Sequence, residues 1–423
     1  MRFHCLTSNE KTPTNPAHAK GENMKSFTHR SSVVRWLWTF LLAVLLAACG
    51  GGGGSDNGIL LSSSNTAPGG TASNAPTVPY ASPGNAATNV AISTVGADNS
   101  LQPKTISATF SEPMNPTTIA SPAATFTVKE TTSGTSVAGN VAMDASNTVA
   151  TFTPTAPLAP NTQFTATITT AATNPAGTPL GNTTTWTFTT GSEVGQAPID
   201  LKTAATFLVL GGNSIDNIST AANPTRINGQ LGIAPGNFAN VTGFTDSDIV
   251  GTGIIKTGGI QLGSTVNQAK TDLQTALALA NVRTSHQVDV GTSELASFNA
   301  SGSSPGVYPP GLYTSSASLT LNTGKLTLDA QGDPDAVWVF KGASNLVVSD
   351  ASQIVLLNGA KAKNVFWTLG SSVTLGDQVS FKGSILAGTS ITVGTASGTG
   401  TTVEGRVLAT SALNLNFTTV TAP

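Results

Sequence analysis

The chain has 423 residues, enough for two or three domains. Only 9% are charged and 6% aromatic, and the formal net charge is −2. Low charge combined with plentiful Val, Ile and Thr argues against disorder and for all-β structure.

In chain order, the first feature is a basic flank (Lys25, His29, Arg30, Arg35) followed by an apolar run over 36–48. That run is too short to span a bilayer comfortably and reads as a signal-peptide core, with residues 1–48 as the signal region and Met24 as a plausible true start. It ends in Leu46-Ala47-Ala48-Cys49, which resembles a bacterial lipobox. The resemblance implies that Cys49 becomes the first mature residue and carries lipid (palmitate). Gly50 rather than Asp follows it, the pattern sorted to the outer membrane, so an exported protein anchored at the outer membrane or cell surface is expected. Residues 1–48 hold six of the 19 Lys+Arg and two of the 21 Asp+Glu, which leaves a mature net charge of −6. No basic face remains for nucleic acid. The other cysteine, Cys5, lies upstream, so neither a disulfide nor a Cys metal ligand is expected in the mature chain.

Residues 49–76 are a Gly/Ser-rich tether behind Cys49. Residues 77–191 alternate as a β-sandwich does, with Ile106, Ala108 and Phe110, Phe164, Ala166 and Ile168, and Trp186 and Phe188 predicted inside. "ISATFSEPMNPTTI" and "TTWTFTTG" resemble the bacterial Ig-like domain, which implies a spacer. Residues 192–198 are expected to be a linker.

From 199 to 423 an internal repeat appears, with "TFLVLGGNSIDNISTAANPTRINGQLGIA" matching "KGSILAGTSITVGTASGTGTTVEGRVLAT" at an irregular period. Each copy offers three short strands. The first set ("VWVF", "VFWTL", "SILA", "RVLA") is apolar on both sides and needs a cover. The second ("SLTLN", "NLVVS", "SVTLG", "SITVG", "ALNLN") alternates apolar with small polar residues, so one side is buried and one faces water. The third ("KLTLD", "QIVLL", "QVSFK", "TTVEG") carries charge and bulk. The cover is a helix predicted over 265–283, with a capping box at Thr265 and Gln268 and a stripe of Val266, Ala269, Leu273, Ala276, Leu277 and Ala280. At about 28 Å long it matches five or six rungs spaced about 4.8 Å apart.

These stretches, with "LKTAATFLVLGGNSIDN", "INGQLGIAPG" and "GVYPPGLYTSSASLTL", resemble the ice-binding-like family of microbes across nearly all of 199–420. The resemblance implies an all-β fold with one long helix: an irregular right-handed β-solenoid flanked by an α-helix, here behind the N-terminal Ig-like sandwich. It also implies adsorption to ice through one flat face away from the helix. The second set of strands is the best candidate. Its outward positions form a central column of Thr320, Val347, Thr374, Thr392 and Asn414. One flank is Ser318, Asn345, Ser372, Ser390 and Ala412, and the other is Asn322, Ser349, Gly376, Gly394 and Asn416. None of these is charged or aromatic. The expected ice-contacting residues are Thr320, Thr374, Thr392, Asn414, Ser318, Ser372, Ser390 and Asn416. Thr and Ser on exposed strands are also ordinary β-formers, so the composition alone does not single out ice.

Chemistry for an enzyme is missing from the pattern. His286 is the only histidine downstream of the signal region, with no nucleophile elbow to serve. Asp329, Asp333 and Asp335 do not match a calcium loop and read as a turn. No cofactor or metal is expected, and the chain reads as a monomeric, non-enzymatic protein. A surface adhesin or carbohydrate-binding module on the same solenoid is the alternative. It would want exposed aromatics, whereas Trp338 and Trp367 fall on helix-covered strands. A glycosidase-like solenoid would need a carboxylate pair on one face.

Overall fold

A computed structural model describes residues 75–218, 224–244, 248, 263–291, 294–300, 303–322, 324–395 and 400–423. The signal region, Cys49 and the tether up to residue 74 lie outside the described residues.

The alternating segments of 77–191 pair as two four-stranded sheets. One runs in the order Tyr80–Ser82, Ile106–Thr109, Val149–Pro154, Gly139–Met143, and the other Ala87–Val90, Thr184–Thr190, Gln163–Ile168, Phe126–Glu130. Their inward side chains meet in a core where Phe126 lies 5.7 Å from Trp186 and 5.9 Å from Phe152, ring centre to ring centre. Residues 192–198 are not a free linker. Val194–Gln196 is a strand in a third, three-stranded sheet, parallel to Ser93–Val95, which in turn pairs with Leu101–Pro103. Unlinked backbone would leave donors and acceptors unpaired where the chain is buried, and the strand supplies partners for them.

Beyond residue 199 the chain winds into three parallel sheets. The first runs Gln230–Ile233, Phe207–Gly211, Val407–Ala409, Ser384–Ala387, Val365–Leu369, Trp338–Gly342, Gly311–Ser315, Gln287–Asp289. The second runs Val241–Thr242, Ser214–Asp216, Ala412–Leu415, Ile391–Val393, Val373–Leu375, Leu346–Val348, Leu319–Leu321. The third runs Arg226–Ile227, Thr418–Thr421, Thr401–Glu404, Ser380–Lys382, Gln353–Leu357, Lys325–Asp329, Val307–Tyr308. The order is not sequential. Phe207–Gly211 pairs with Val407–Ala409, and Ser214–Asp216 with Ala412–Leu415, so the first-made rung closes the end made last. The chain then returns along the helix and starts again at the opposite end.

Period-two alternation explains the interior. Leu319, Leu346, Val373, Ile391, Leu413 and Ile215 stack in one inward column, all buried. Each such side chain contributes about 1.5–3 kcal/mol by leaving water. Tyr308, Tyr313, Phe340, Trp367 and Phe381 stack through the centre, with Phe340 and Trp367 at 4.1 Å and 9°. Trp338 and Trp367 belong to this interior, and their indole N–H groups donate to the Tyr308 and Lys382 carbonyls. Burial pushes the Tyr308 and Tyr313 phenols above the usual tyrosine range.

The helix, Gly263–Asn281, covers the outer side of the first sheet. Its predicted stripe is buried at all six positions, against Leu210, Leu408, Leu386, Phe366, Val339 and Leu312 of six successive rungs. It starts two residues before the expected Thr265, and Gln268 bonds forward to Asp272 rather than back to Thr265, so no capping box forms there. Asp272 accepts from the backbone and hydroxyl of Thr203, which ties the 202–206 segment to the helix and holds the carboxyl below its usual range. Lys341 donates to the Asn281 and Arg283 carbonyls and so places a cation at the helix C-terminus.

Candidate functional site

Of the three sheets, the first is covered by the helix and the third is charged. Lys325, Asp329, Lys382, Glu404 and Arg226 all lie on third-sheet strands, and Lys382 pairs with Glu404 at 2.7 Å. The second sheet is open and carries neither feature over five rows. Its strands keep one unbroken register, Thr320 to Val347 to Thr374 to Thr392 to Asn414. Successive rows are 27, 27, 18 and 22 residues apart in sequence, so the turns absorb the irregular repeat and the strands do not.

Val347 and Thr374 are exposed, and Thr320, Thr392 and Asn414 are half-buried between their neighbours. Among the described residues, no side-chain hydrogen bond engages the hydroxyls of Thr320, Thr374 or Thr392. Buried threonines elsewhere behave differently: Thr401 and Thr418 spend their hydroxyls on the Gly376 and Asn416 carbonyls. The column therefore presents stiff side chains, each with a free hydroxyl and a methyl.

The flank of Ser318, Asn345, Ser372, Ser390 and Ala412 is half-buried and runs beside the column. Within it the Asn345 carboxamide oxygen accepts from both the amide and the hydroxyl of Ser372 at 3.3 and 3.2 Å, pinning one row to the next. The other flank departs from expectation. Asn322 is exposed and Ser349 half-buried, but Gly376, Gly394 and Asn416 are buried. Asn416 is not a surface residue: its amide donates to the Gly394 carbonyl, and its oxygen accepts from the Ile218 backbone. The chain turns inward there. A Cβ on Gly376 would stand 2.2 Å from an Asp350 oxygen, and one on Gly394, where φ is +72°, 2.2 Å from the Asn416 carbonyl.

The central column also has ends that the repeat pattern hides. Asp216 pairs with Asn414 and stands one row beyond it, accepting from the Thr242 hydroxyl at 2.6 Å. Glu294 bridges to Thr320 and stands one row beyond the other end. Its carboxylate is folded back onto the Asn322 amide at 2.8 Å. The positions expected on this face carry no charge, and a carboxylate stands one row beyond each end of the central column. The asymmetric ends come from a segment two hundred residues upstream and from the turn before residue 295, neither of which shares the repeat.

The other polar groups singled out from sequence have structural partners. Asp333 accepts from Lys104, Ser82 and the Asp335 backbone, and Asp329 from Gln331 and Asn358. Among the described residues no group of three His, Cys, Asp or Glu side chains is placed to hold a metal. His286 is exposed in a left-handed turn past the helix.

The described residues form a three-sided β-solenoid with one helix along it, one charged sheet and one open sheet neutral over five rows. The ice-binding-like family matches residues 209–421, and the chain belongs to that family. A bacterial Ig-like domain matches residues 72–190. An ice-binding protein of Nostoc sp. (strain HG1) is 39% identical over 197 residues, which is 46% of this chain and 64% of that protein. An ice-binding protein of Flavobacterium frigoris (strain PS1) is 40% identical over 114 residues, 27% of this chain and 39% of that protein. The chain thus spans less than two thirds of either relative. The crystal structure of an ice binding protein from an Antarctic biological consortium is 34% identical, covers 54% of this chain and 93% of its own, and has a TM-score of 0.46.

Proposed function

We propose that this chain binds ice through the five neutral rows of the second sheet, acting as a monomer without a catalytic step. The observation that carries the reading is the in-register column of Thr320, Thr374 and Thr392 with hydroxyls that have no protein partner. Ice is an uncharged, repeating lattice of water. Rows about 4.8 Å apart, and side chains about 6.6 Å apart along a strand, form a grid on which waters can sit near lattice positions. Stiff χ1 angles keep the entropy lost on docking small. Each contact is weak, on the order of 0.8 kcal/mol per buried CH₂, and many on one plane add together.

The test is inhibition of ice recrystallisation by the full chain against Thr374→Tyr and Thr392→Tyr. A ring standing proud of the plane lifts its neighbours off the lattice, and about tenfold more protein is then expected for the same effect, a loss of roughly 1.4 kcal/mol. Thr402→Tyr, on the third sheet, is expected to match wild type. A wild type that neither shapes nor restrains ice sinks the reading.

We further propose that Cys49 carries the lipid that anchors the protein at the outer membrane or cell surface, supported by the Leu46-Ala47-Ala48-Cys49 sequence. Palmitate labelling of cells expressing the chain checks it. A Cys49→Ser chain that labels as strongly as wild type would refute it.

A further inference from the structure

The Ig-like domain meets the solenoid through three contacts at two places, the turn at 331–333 and the segment past the helix C-terminus. The first is a buried ion pair: Lys104 Nζ lies 2.7 Å from Asp333 Oδ2, and both residues are about 5% exposed (6% and 5%). Ser82 adds its hydroxyl to the same carboxylate. The second is backbone against backbone. The Thr88 amide donates to the Gln331 carbonyl at 3.0 Å, and a Cβ on Gly332, where φ is +87°, would stand 2.9 Å from Ala87 Cα. The third lies past the helix C-terminus. Asn99 donates to the Val282 carbonyl at 2.8 Å and accepts from the Thr284 amide at 3.0 Å, a two-way clasp between the two segments.

The segment joining the domains is fastened as well. Val194–Gln196 is a strand of the Ig-like side, and the Gln196 side chain donates to the Ser285 carbonyl. Arg283, 1% exposed, donates its two terminal nitrogens to the Ala197 and Pro198 carbonyls. A covalent linker with one contact leaves a hinge, which is the usual expectation for domains in one chain. Contacts at two separate places, with the joining segment fastened to the solenoid side by Gln196 and Arg283, oppose such a hinge. Separating the domains would also strand Asp333 and Lys104 as unpaired buried charges until water reached them.

We propose that the Ig-like domain is a rigid bracket for the solenoid, with Lys104–Asp333 as its lock, and that it fixes the direction in which the second sheet faces. All three contacts fall on the turn after the third-sheet strand Lys325–Asp329 or beyond the helix end, and none falls on the second sheet. The bracket therefore holds the molecule by its back and leaves the open sheet clear. The inference does not depend on what that sheet binds.

Cleavage by a Glu-specific protease at Glu193 tests it on the full chain. Glu193 is exposed, yet its carbonyl accepts from the Ile92 amide. Cutting there requires the strand Val194–Gln196 to leave both its Ig-like partner and the Ser285 carbonyl of the solenoid side, and the rate follows that open population. Wild type is expected to resist. Lys104→Met and, at a contact away from the lock, Asn99→Gly (which suits the left-handed backbone of Asn99) are expected to be cut at least about tenfold faster. Lys382→Met, in the half-buried third-sheet pair away from the junction, is expected to be cut at the wild-type rate. Should Lys104→Met not fold, Asn99→Gly carries the test alone. The bracket is overturned if wild type is cut at Glu193 as fast as the variants, or if calorimetry of wild type resolves two independent unfolding transitions.

Discussion

Asp216 and Glu294 stand in the same outward column of the second sheet, one row beyond Asn414 and one row beyond Thr320. They differ in what holds them. Glu294 turns its carboxylate back onto the Asn322 amide, while Asp216 keeps its own at the surface beside the Thr242 hydroxyl. Of the two, Asp216 is the one whose carboxylate remains at the open face beside the five neutral rows. An exposed charge that must stay hydrated at a contact costs on the order of 1 kcal/mol, a factor of roughly five in binding. Asp216→Asn is expected to improve inhibition of ice recrystallisation by up to that factor, and Glu294→Gln to leave it unchanged. A weaker Asp216→Asn protein that is still fully folded would show that the binding area does not reach that end.

Asn416 offers the opposite test, because it lies in line with the sheet yet faces inward. Asn416→Ala removes a buried donor to the Gly394 carbonyl and a buried acceptor for the Ile218 amide. The expected result is a loss of about 1–3 kcal/mol in urea unfolding. Ice recrystallisation inhibition per mole of folded protein is expected to stay at the wild-type level. A large fall in activity without a fall in stability would return Asn416 to the surface.

The contrast shows how far the residues alone could be read. One-sided burial with period two is a local signal, so the strands, their inward Leu, Val and Ile columns, and the outward Thr320, Thr374 and Thr392 could be placed from alternation. The helix stripe could be read for the same reason. What escaped was set by non-local pairing. Asp216 joins the column because an early rung docks at the far end of the solenoid, a pairing across some two hundred residues that no repeat announces. The inward turn at Gly376, Gly394 and Asn416 depends on how adjacent rungs overlap, and the glycines there were the available hint. Residues 192–198 looked like a linker because Gly195 and Pro198 weaken a strand pattern, yet Ser93–Val95 supplied a partner.

The aromatic stack sets much of the solenoid's stability. Phe340 and Trp367 lie nearly parallel at 4.1 Å, with Phe381 beyond, and Trp367 also donates to the Lys382 carbonyl. Trp367→Ala is expected to cost about 3–5 kcal/mol through the cavity it opens. Trp367→Phe keeps the ring contact but not the hydrogen bond, and about 1–3 kcal/mol is expected. Denaturant midpoints of the two variants check the order, and an alanine variant as stable as the phenylalanine one would contradict it.

Lys270 gives the fold a pH signature. Its ammonium is buried beneath the helix with the Ala409 carbonyl as acceptor at 2.7 Å, and burial pushes its pKa down to about 8. In the unfolded chain the group returns to about 10.4. Between those values the unfolded state binds more protons than the folded one, so stability rises with pH. Below pH 8 both states are protonated and the burial penalty is present in full. Raising the pH from 7.5 to 9.5 is expected to stabilise wild type by on the order of 1–2 kcal/mol, at 1.36 kcal/mol per unit of difference. The upper bound of that window stays below the range where the raised Tyr308 and Tyr313 phenols act in the other direction. Lys270→Met has no ammonium to neutralise there, and its melting temperature is expected to rise clearly less than that of wild type over the same interval, the remainder coming from Lys341, whose pKa burial also lowers. A variant that gains stability with pH as steeply as wild type would assign the effect to another group.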